Sequence, residues 1–428
     1  MSVTSPTWFA SARALRPAVA AVFVIAAVVS LAAAAPAATT ATTVATTTPS
    51  STTTPPSAIT SIPALSASRV PSAATLACAR AEVATWPLVE QANETIAVPV
   101  DATNVGAMGA AARDGFGALL LFGTTAPTVM GRIVARLQRL TLHHATMLVM
   151  TDEEGGGVAR LTNLVSPSPW AQTMGRNLSA PQIEGWGRRV GLALARIGVN
   201  VDLAPVLDVD GRPVFPSATN PDGLRSFGGS PSLVATDGVA FATGLARAGV
   251  TPVVKHFPGL GGASRNTDFG PATTLAWSRL RRTGLVPFER AVAAGVPAVM
   301  IANASVPGFT LLPASLSERV VRELRASLDF RGLIIDDSLS AGAISALHLS
   351  PASAAVLAES AGVDLVLFGV VGSPGATLAY AREIAASLVR AVNTGRLSRA
   401  SLMAAAAQVL ATRSALRCPS IAVTSVSS

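Results

Sequence analysis

The chain has 428 residues, half of them apolar and 13% charged, with a formal net charge of +8. That composition can bury a large core and excludes a wholly disordered polypeptide, while the apolar residues fall in short strand- and helix-sized runs that exclude a polytopic membrane protein. Lys255 is the only lysine, the arginines are scattered among acids and aromatic residues make up only 4%, so no nucleic-acid partner is expected.

Residues 1–36 carry Arg13 and Arg16, then an uncharged apolar run over 17–35 that ends in small residues. This is the order of a secretory signal peptide, and it predicts a secreted or cell-envelope, extracytoplasmic protein. The run is also long enough to cross a bilayer uncleaved, so an N-terminal anchor is the alternative and the only membrane contact expected. Residues 37–70 read as a Thr/Pro/Ser-rich linker with almost nothing to build a core. A folded domain is expected over 71–418, followed by a short tail over 419–428. The only two cysteines, Cys78 and Cys418, bracket that domain. In an exported protein they can form a disulfide, with two buried thiols as the alternative.

Inside the domain, strand-like runs at 96–100, 118–122, 146–152, 199–206, 251–257, 298–303, 332–337 and 363–368 alternate with amphipathic helical runs such as 129–140, 183–198, 234–249 and 318–328. Eight strands predict an α/β fold of the (β/α)8 TIM-barrel type, with a doubly wound sheet as the alternative. Several strands end in residues that a buried strand does not call for: Asp152, Asp208, Lys255 with His256, and Asp337. Such folds build their sites at the C-terminal strand ends.

The densest motif is KHFPGLGGASRNTDFGP, residues 255–271. In a chain that otherwise uses arginine for every full positive charge, one compact ammonium at Lys255 suggests a task that a planar guanidinium cannot perform. Three further segments accompany it: TDEEGGGVARL (151–161), VDLAPVLDV (201–209) with GLRSFGG (223–229), and PASLSERVVRELRASLDFRGLIIDDSLSAGAI (313–344). With these four motifs in this order, the chain from about residue 95 to 415 resembles the bacterial single-domain β-N-acetylglucosaminidases of glycoside hydrolase family 3.

The resemblance implies a TIM-type barrel, a carbohydrate substrate (peptidoglycan-derived or another β-glycan), a retaining mechanism and no cofactor or metal. It puts the aspartate nucleophile on Asp337 of DDSLSA, with Asp336 in the neighbouring noncatalytic place and Ala341 where the family has methionine. It puts sugar-hydroxyl ligands on Asp152, Arg160, Arg225, Lys255 and His256. The family's acid/base motif departs here: its two histidines fall on Leu260 and Asp268, and its orienting aspartate on Asn266. His143, His144 and His348 stand elsewhere in the chain and do not replace the missing dyad. Two readings remain open. Asp268 is the general acid, completing a carboxylate pair of the kind that retaining glycosidases hold about 5–5.5 Å apart. Alternatively, Asp268 caps a loop, and the protein is a weakly active or noncatalytic cell-wall glycan-binding protein.

Overall fold

Each of the eight expected strands forms. In the computed structural model, which describes residues 70–413, they are β1 (Ile96–Asp101), β2 (Ala118–Phe122), β3 (Leu148–Thr151), β4 (Val201–Asp202), β5 (Thr251–Phe257), β6 (Ala298–Ile301), β7 (Leu333–Asp336) and β8 (Val366–Leu367). All eight run parallel in the order β8-β1-β2-β3-β4-β5-β6-β7. The ring closes: Ile96 of β1 is in register with Val366 of β8, and on the other side Ile335 of β7 bridges Leu365 while the Leu339 N–H donates to the Leu367 carbonyl. This is the (β/α)8 barrel. The apolar N-terminal run, Cys418 and the tail lie outside the described residues.

Strands buried on both faces are apolar throughout rather than alternating. In β1, Ile96, Val98 and Val100 face the helical layer, while Ala97 faces the barrel interior with Leu120, Met150, Val253, Met300, Ile335 and Leu367. The outer layer includes α1 (Ala73–Ala84), α2 (Met130–Gln138), α3 (Ala180–Arg196), α4 (Pro231–Arg247) and α5 (Arg399–Thr412). The first of these packs on the last, Ala79 and Val83 of α1 meeting Ala406 and Leu410 of α5. Cys78 therefore sits on a helix that neighbours the end of the domain.

Several elements are shorter than their sequence patterns, β8 keeping only Val366–Leu367 of 363–368, and two departures have a local form. The run 199–206 keeps only Val201–Asp202 as ladder, because Pro205 has no N–H to donate. The chain still follows β5, with the Lys255 N–H donating to the Pro205 carbonyl at 3.2 Å and the Leu207 N–H to the Lys255 carbonyl at 2.7 Å. The expected helix 318–328 starts as an α-helix, Glu318–Arg322, and continues as a π turn, Glu323–Ser327. His143 and His144 occupy a separate 3₁₀ turn after α2; His143 stacks on Trp86 at 4.1 Å and bonds Glu90 at 2.8 Å.

Candidate active site

The C-terminal strand ends surround a cavity of about 360 Å³, whose lining includes Asp152, Glu154, Arg160, Arg225, Lys255, His256, Asp268 and Asp337. All seven expected catalytic and sugar-binding residues are thus brought together, and Glu154 joins them. The resemblance names only the first acid of the DEE run as a ligand. Alternation along an extended segment puts Asp152 and Glu154 on one face, and that signal would have found it.

The chain presents Glu154 by folding 153–159 into a small hairpin. Its turn requires glycine: Gly156 has φ +56°, and a Cβ there would lie 2.0 Å from the Trp170 ring. Glu153 points away from the cavity and accepts the Arg160 and Leu161 N–H groups at 2.9 and 2.7 Å. Burial pushes its carboxyl up to about 7.

Glu154 bridges the two cations of the floor. Arg225 grips it with two parallel bonds of 2.8 Å, and the Lys255 ammonium lies 2.7 Å from Glu154 and 2.7 Å from Asp152. Burial alone would raise the Glu154 carboxyl, but Arg225 and Lys255 outweigh it and hold the group well below the usual range. Burial likewise disfavours the Lys255 ammonium, yet Asp152 and Glu154 overcome this and keep its pKa above the ordinary lysine value. The result is a fixed array of charges in a dry floor. Arg160 stands at the edge, 3.7 Å from Asp152 and over the Phe122 ring.

Behind this floor lies a second buried group. His256 Nδ1 is 2.7 Å from Asp208, which also accepts the Leu260 N–H at 2.5 Å and the His256 backbone N–H at 3.2 Å. Burial, with Arg225 adding, lowers His256 to about 4, so its imidazole is neutral at physiological pH and can accept or donate a hydroxyl hydrogen bond. Burial raises Asp208 to about 6, and burial together with the Asp208 charge holds Asp222 well above the carboxylate range. Asp208, Asp222 and His256 offer ligand atoms within 4.8 Å of one another. The Arg225 cation and the already engaged oxygens of Asp208 stand in this cluster as well.

Asp337 follows β7. Its N–H donates to the Ile301 carbonyl at 2.9 Å, and its Oδ1 accepts the Ser338 N–H at 2.7 Å. Burial raises its carboxyl, with the Asp268 charge pushing the same way and His256 and Lys255 opposing. Asp336 turns inward and accepts the Leu367 N–H at 2.8 Å, so the two adjacent aspartates divide into one lining the cavity and one tying the barrel. Asn303 backs this turn, donating to the Ser338 carbonyl while accepting from Ser315.

Asp268 reaches the cavity from a 3₁₀ turn, Thr267–Phe269. The cap of that turn is Asn266, whose Oδ1 accepts the Asp268 N–H at 2.9 Å. The capping role considered for Asp268 is thus carried by Asn266. Asp268 is exposed at the cavity mouth. The Lys255–His256 and Phe257–Pro258 peptide bonds are cis.

A carboxylate at a barrel mouth, over a floor of paired cations and anions, is the equipment of glycoside cleavage. The family model for the glycosyl hydrolase family 3 N terminal domain matches residues 90–412. The chain belongs to glycosyl hydrolase family 3. An uncharacterized secreted glycosyl hydrolase of Arthroderma benhamiae is 31% identical to it over 70% of this chain and 85% of that protein. Beta-hexosaminidase LpqI of Mycobacterium tuberculosis is 34% identical over 52% of this chain, and the match spans 58% of LpqI. A solved family 3 glycosyl hydrolase from Mycobacterium smegmatis is similar with a TM-score of 0.69 at 30% identity, over 78% of this chain and 99% of that one. Asp152, Glu154, Arg225, Lys255, His256 and Asp337 all line this one cavity.

Proposed function

We propose that this protein is an exported β-N-acetylhexosaminidase that removes terminal β-linked N-acetylglucosamine from cell-wall glycan fragments with retention of configuration. The observation that carries this reading is Asp337 at the wall of a closed-bottomed cavity whose floor is the Lys255–Glu154–Arg225 clamp. An Asp337 oxygen attacks the anomeric carbon as the glycosidic C–O bond breaks, and Asp268 donates its proton to the departing oxygen. Water then attacks the glycosyl ester, Asp268 takes the water's proton, and Asp337 is released. Asp152, Arg160, Arg225, Lys255 and His256 hold the sugar hydroxyls, and those bonds strengthen as charge develops on the ring. The beta-hexosaminidase name of a relative supports the sugar class. The charged, then apolar, then small-residue order of 1–36 supports export, and the 37–70 linker supports a tethered barrel. The same reading includes a Cys78–Cys418 disulfide joining the two ends of the domain.

A second reading, slow turnover with glycan binding as the main role, is favoured by one observation: the acid candidate is an exposed aspartate where the family carries a histidine. One experiment separates the two. The protein is incubated with an activated aryl 2-fluoro-glycoside and its intact mass is followed, because a good leaving group needs little acid help. A covalent adduct on Asp337 is the expected result. Binding of the sugar without an adduct would favour the binding protein.

A further inference from the structure

Most of the large apolar side chains exposed among the described residues lie on the loops that follow the barrel strands, on the same face as the cavity. Phe215 (69% exposed) follows β4, Phe269 (63%) follows β5, Leu311 (96%) and Leu312 follow β6, Leu347 follows β7 and Val370 follows β8. Five consecutive loops therefore contribute to one collar. A chain with only 4% aromatic residues spends two phenylalanines there.

The collar continues the cavity wall. Phe269 comes directly after cavity-lining Asp268, and Phe215 directly before cavity-lining Pro216. Their loops are joined, since the Asn266 N–H donates to the Ala218 carbonyl at 2.9 Å, and the Phe215 ring packs edge-on against Trp170 at 5.9 Å. The Phe215 ring is thus held in place although exposed. Below the collar Asp152, Glu154, Arg225 and Lys255 pair among themselves in the floor, and about 360 Å³ is room for roughly one sugar unit. What leaves the cavity past Asp268 is the aglycone, and beside Asp268 and Asn266 it meets the hydrocarbon of these loops.

We infer that the collar is an aglycone subsite for an apolar group, so that β-N-acetylhexosaminides bearing an alkyl or aryl aglycone are taken as substrates alongside cell-wall fragments. This rests on the hexosaminidase reading, which it makes more specific. Exposed apolar surface continuous with a polar cavity is what such a ligand covers, and each methylene it buries gains about threefold to fourfold in affinity.

The test uses non-hydrolysable alkyl 1-thio-β-N-acetylglucosaminides from methyl to octyl, below micellar concentrations, with binding to the purified protein measured by calorimetry. With about four of the seven added methylenes covered, octyl is expected to bind on the order of 10²-fold more tightly than methyl. The double variant Phe215→Ala/Phe269→Ala should lose at least tenfold of that gain while keeping its methyl affinity, and Leu311→Ser should lose a smaller part. Equal affinity along the series, or a gain untouched by the variants, overturns the subsite and leaves the hexosaminidase reading standing. If octyl binds through the collar and methyl does not bind, the subsite stands and the glycone assignment falls; if neither binds, both fall. Co-sedimentation with phosphatidylglycerol vesicles that depends on the same side chains, without a chain-length series, would reassign the collar to a bilayer and overturn the proposal.

Discussion

Gly342 leaves room for Asp268: a Cβ on Gly342 would lie 2.8 Å from the Asp268 carbonyl oxygen and 2.6 Å from the Gly270 nitrogen. The first turn after the nucleophile's strand is thus the bed on which the acid candidate's loop rests. Contacts below 3 Å with backbone force the loop to move, and a displacement of about 1 Å can cost on the order of 10²-fold in rate. Gly342→Ala should therefore lower kcat by roughly 10–100-fold for glycosides with poor leaving groups and much less for activated aryl glycosides. A steady-state comparison of both substrate types against an unchanged melting temperature checks this. Equal losses on both would mean that the loop does not carry the acid.

Asp337→Asn removes the attacking oxygen's charge and should abolish turnover of every substrate by roughly 10³-fold or more. Asp268→Asn should slow poor leaving groups by on the order of 10²–10⁴ and spare activated ones. Progress curves on a leaving-group series for both variants decide the assignment. An Asp337→Asn protein with near-normal rates would end the proposed mechanism.

Glu154→Gln leaves the Arg225 and Lys255 charges of the floor short of their shared partner. Breaking a buried pair of this kind typically costs about 3–5 kcal/mol, because the remaining charge is stranded. We expect a clear fall in denaturant midpoint together with a raised KM. Retention of both would show that water replaces Glu154 in the floor.

The titration of buried acids predicts a stability optimum on the acid side of neutrality. Burial raises Asp208 to about 6, Glu153 to about 7 and Glu94 and Glu359 to about 8. An acid held protonated by the fold contributes stability that is complete below its unfolded pKa and is lost as pH rises through the folded value. His256, lowered to about 4, works the other way between pH 4 and its unfolded value near 6.5. The acids outnumber it, so the melting temperature should fall between pH 5 and pH 8. Calorimetry across that range checks the sign, and Glu359→Gln should flatten the slope.

The strand pattern was legible because parallel strands buried on both faces write themselves as apolar runs. The 118–122 and 251–257 runs coincide with β2 and β5 residue for residue. Less legible was whatever depends on backbone donors: Pro205 cut the 199–206 run to two ladder residues, which only a count of N–H groups would have shown. At the site, the motif residues converge as the resemblance implied. Alternation with Asp152 marks Glu154 and a strand end marks Asp208, but neither pattern names the partner, Arg225 for Glu154 or His256 for Asp208. Pairwise geometry of that kind has no local signature.

The pairing of β8 with β1 also sets an order of assembly. Ile96 waits for a partner that most of the chain separates from it, so until Val366 arrives β1 presents an open edge of unpaired backbone groups. A polypeptide truncated before its last strand would be a sticky, half-wound sheet. The ring makes completeness of the domain a condition of solubility, and premature stop variants should accumulate as aggregates rather than as smaller soluble barrels.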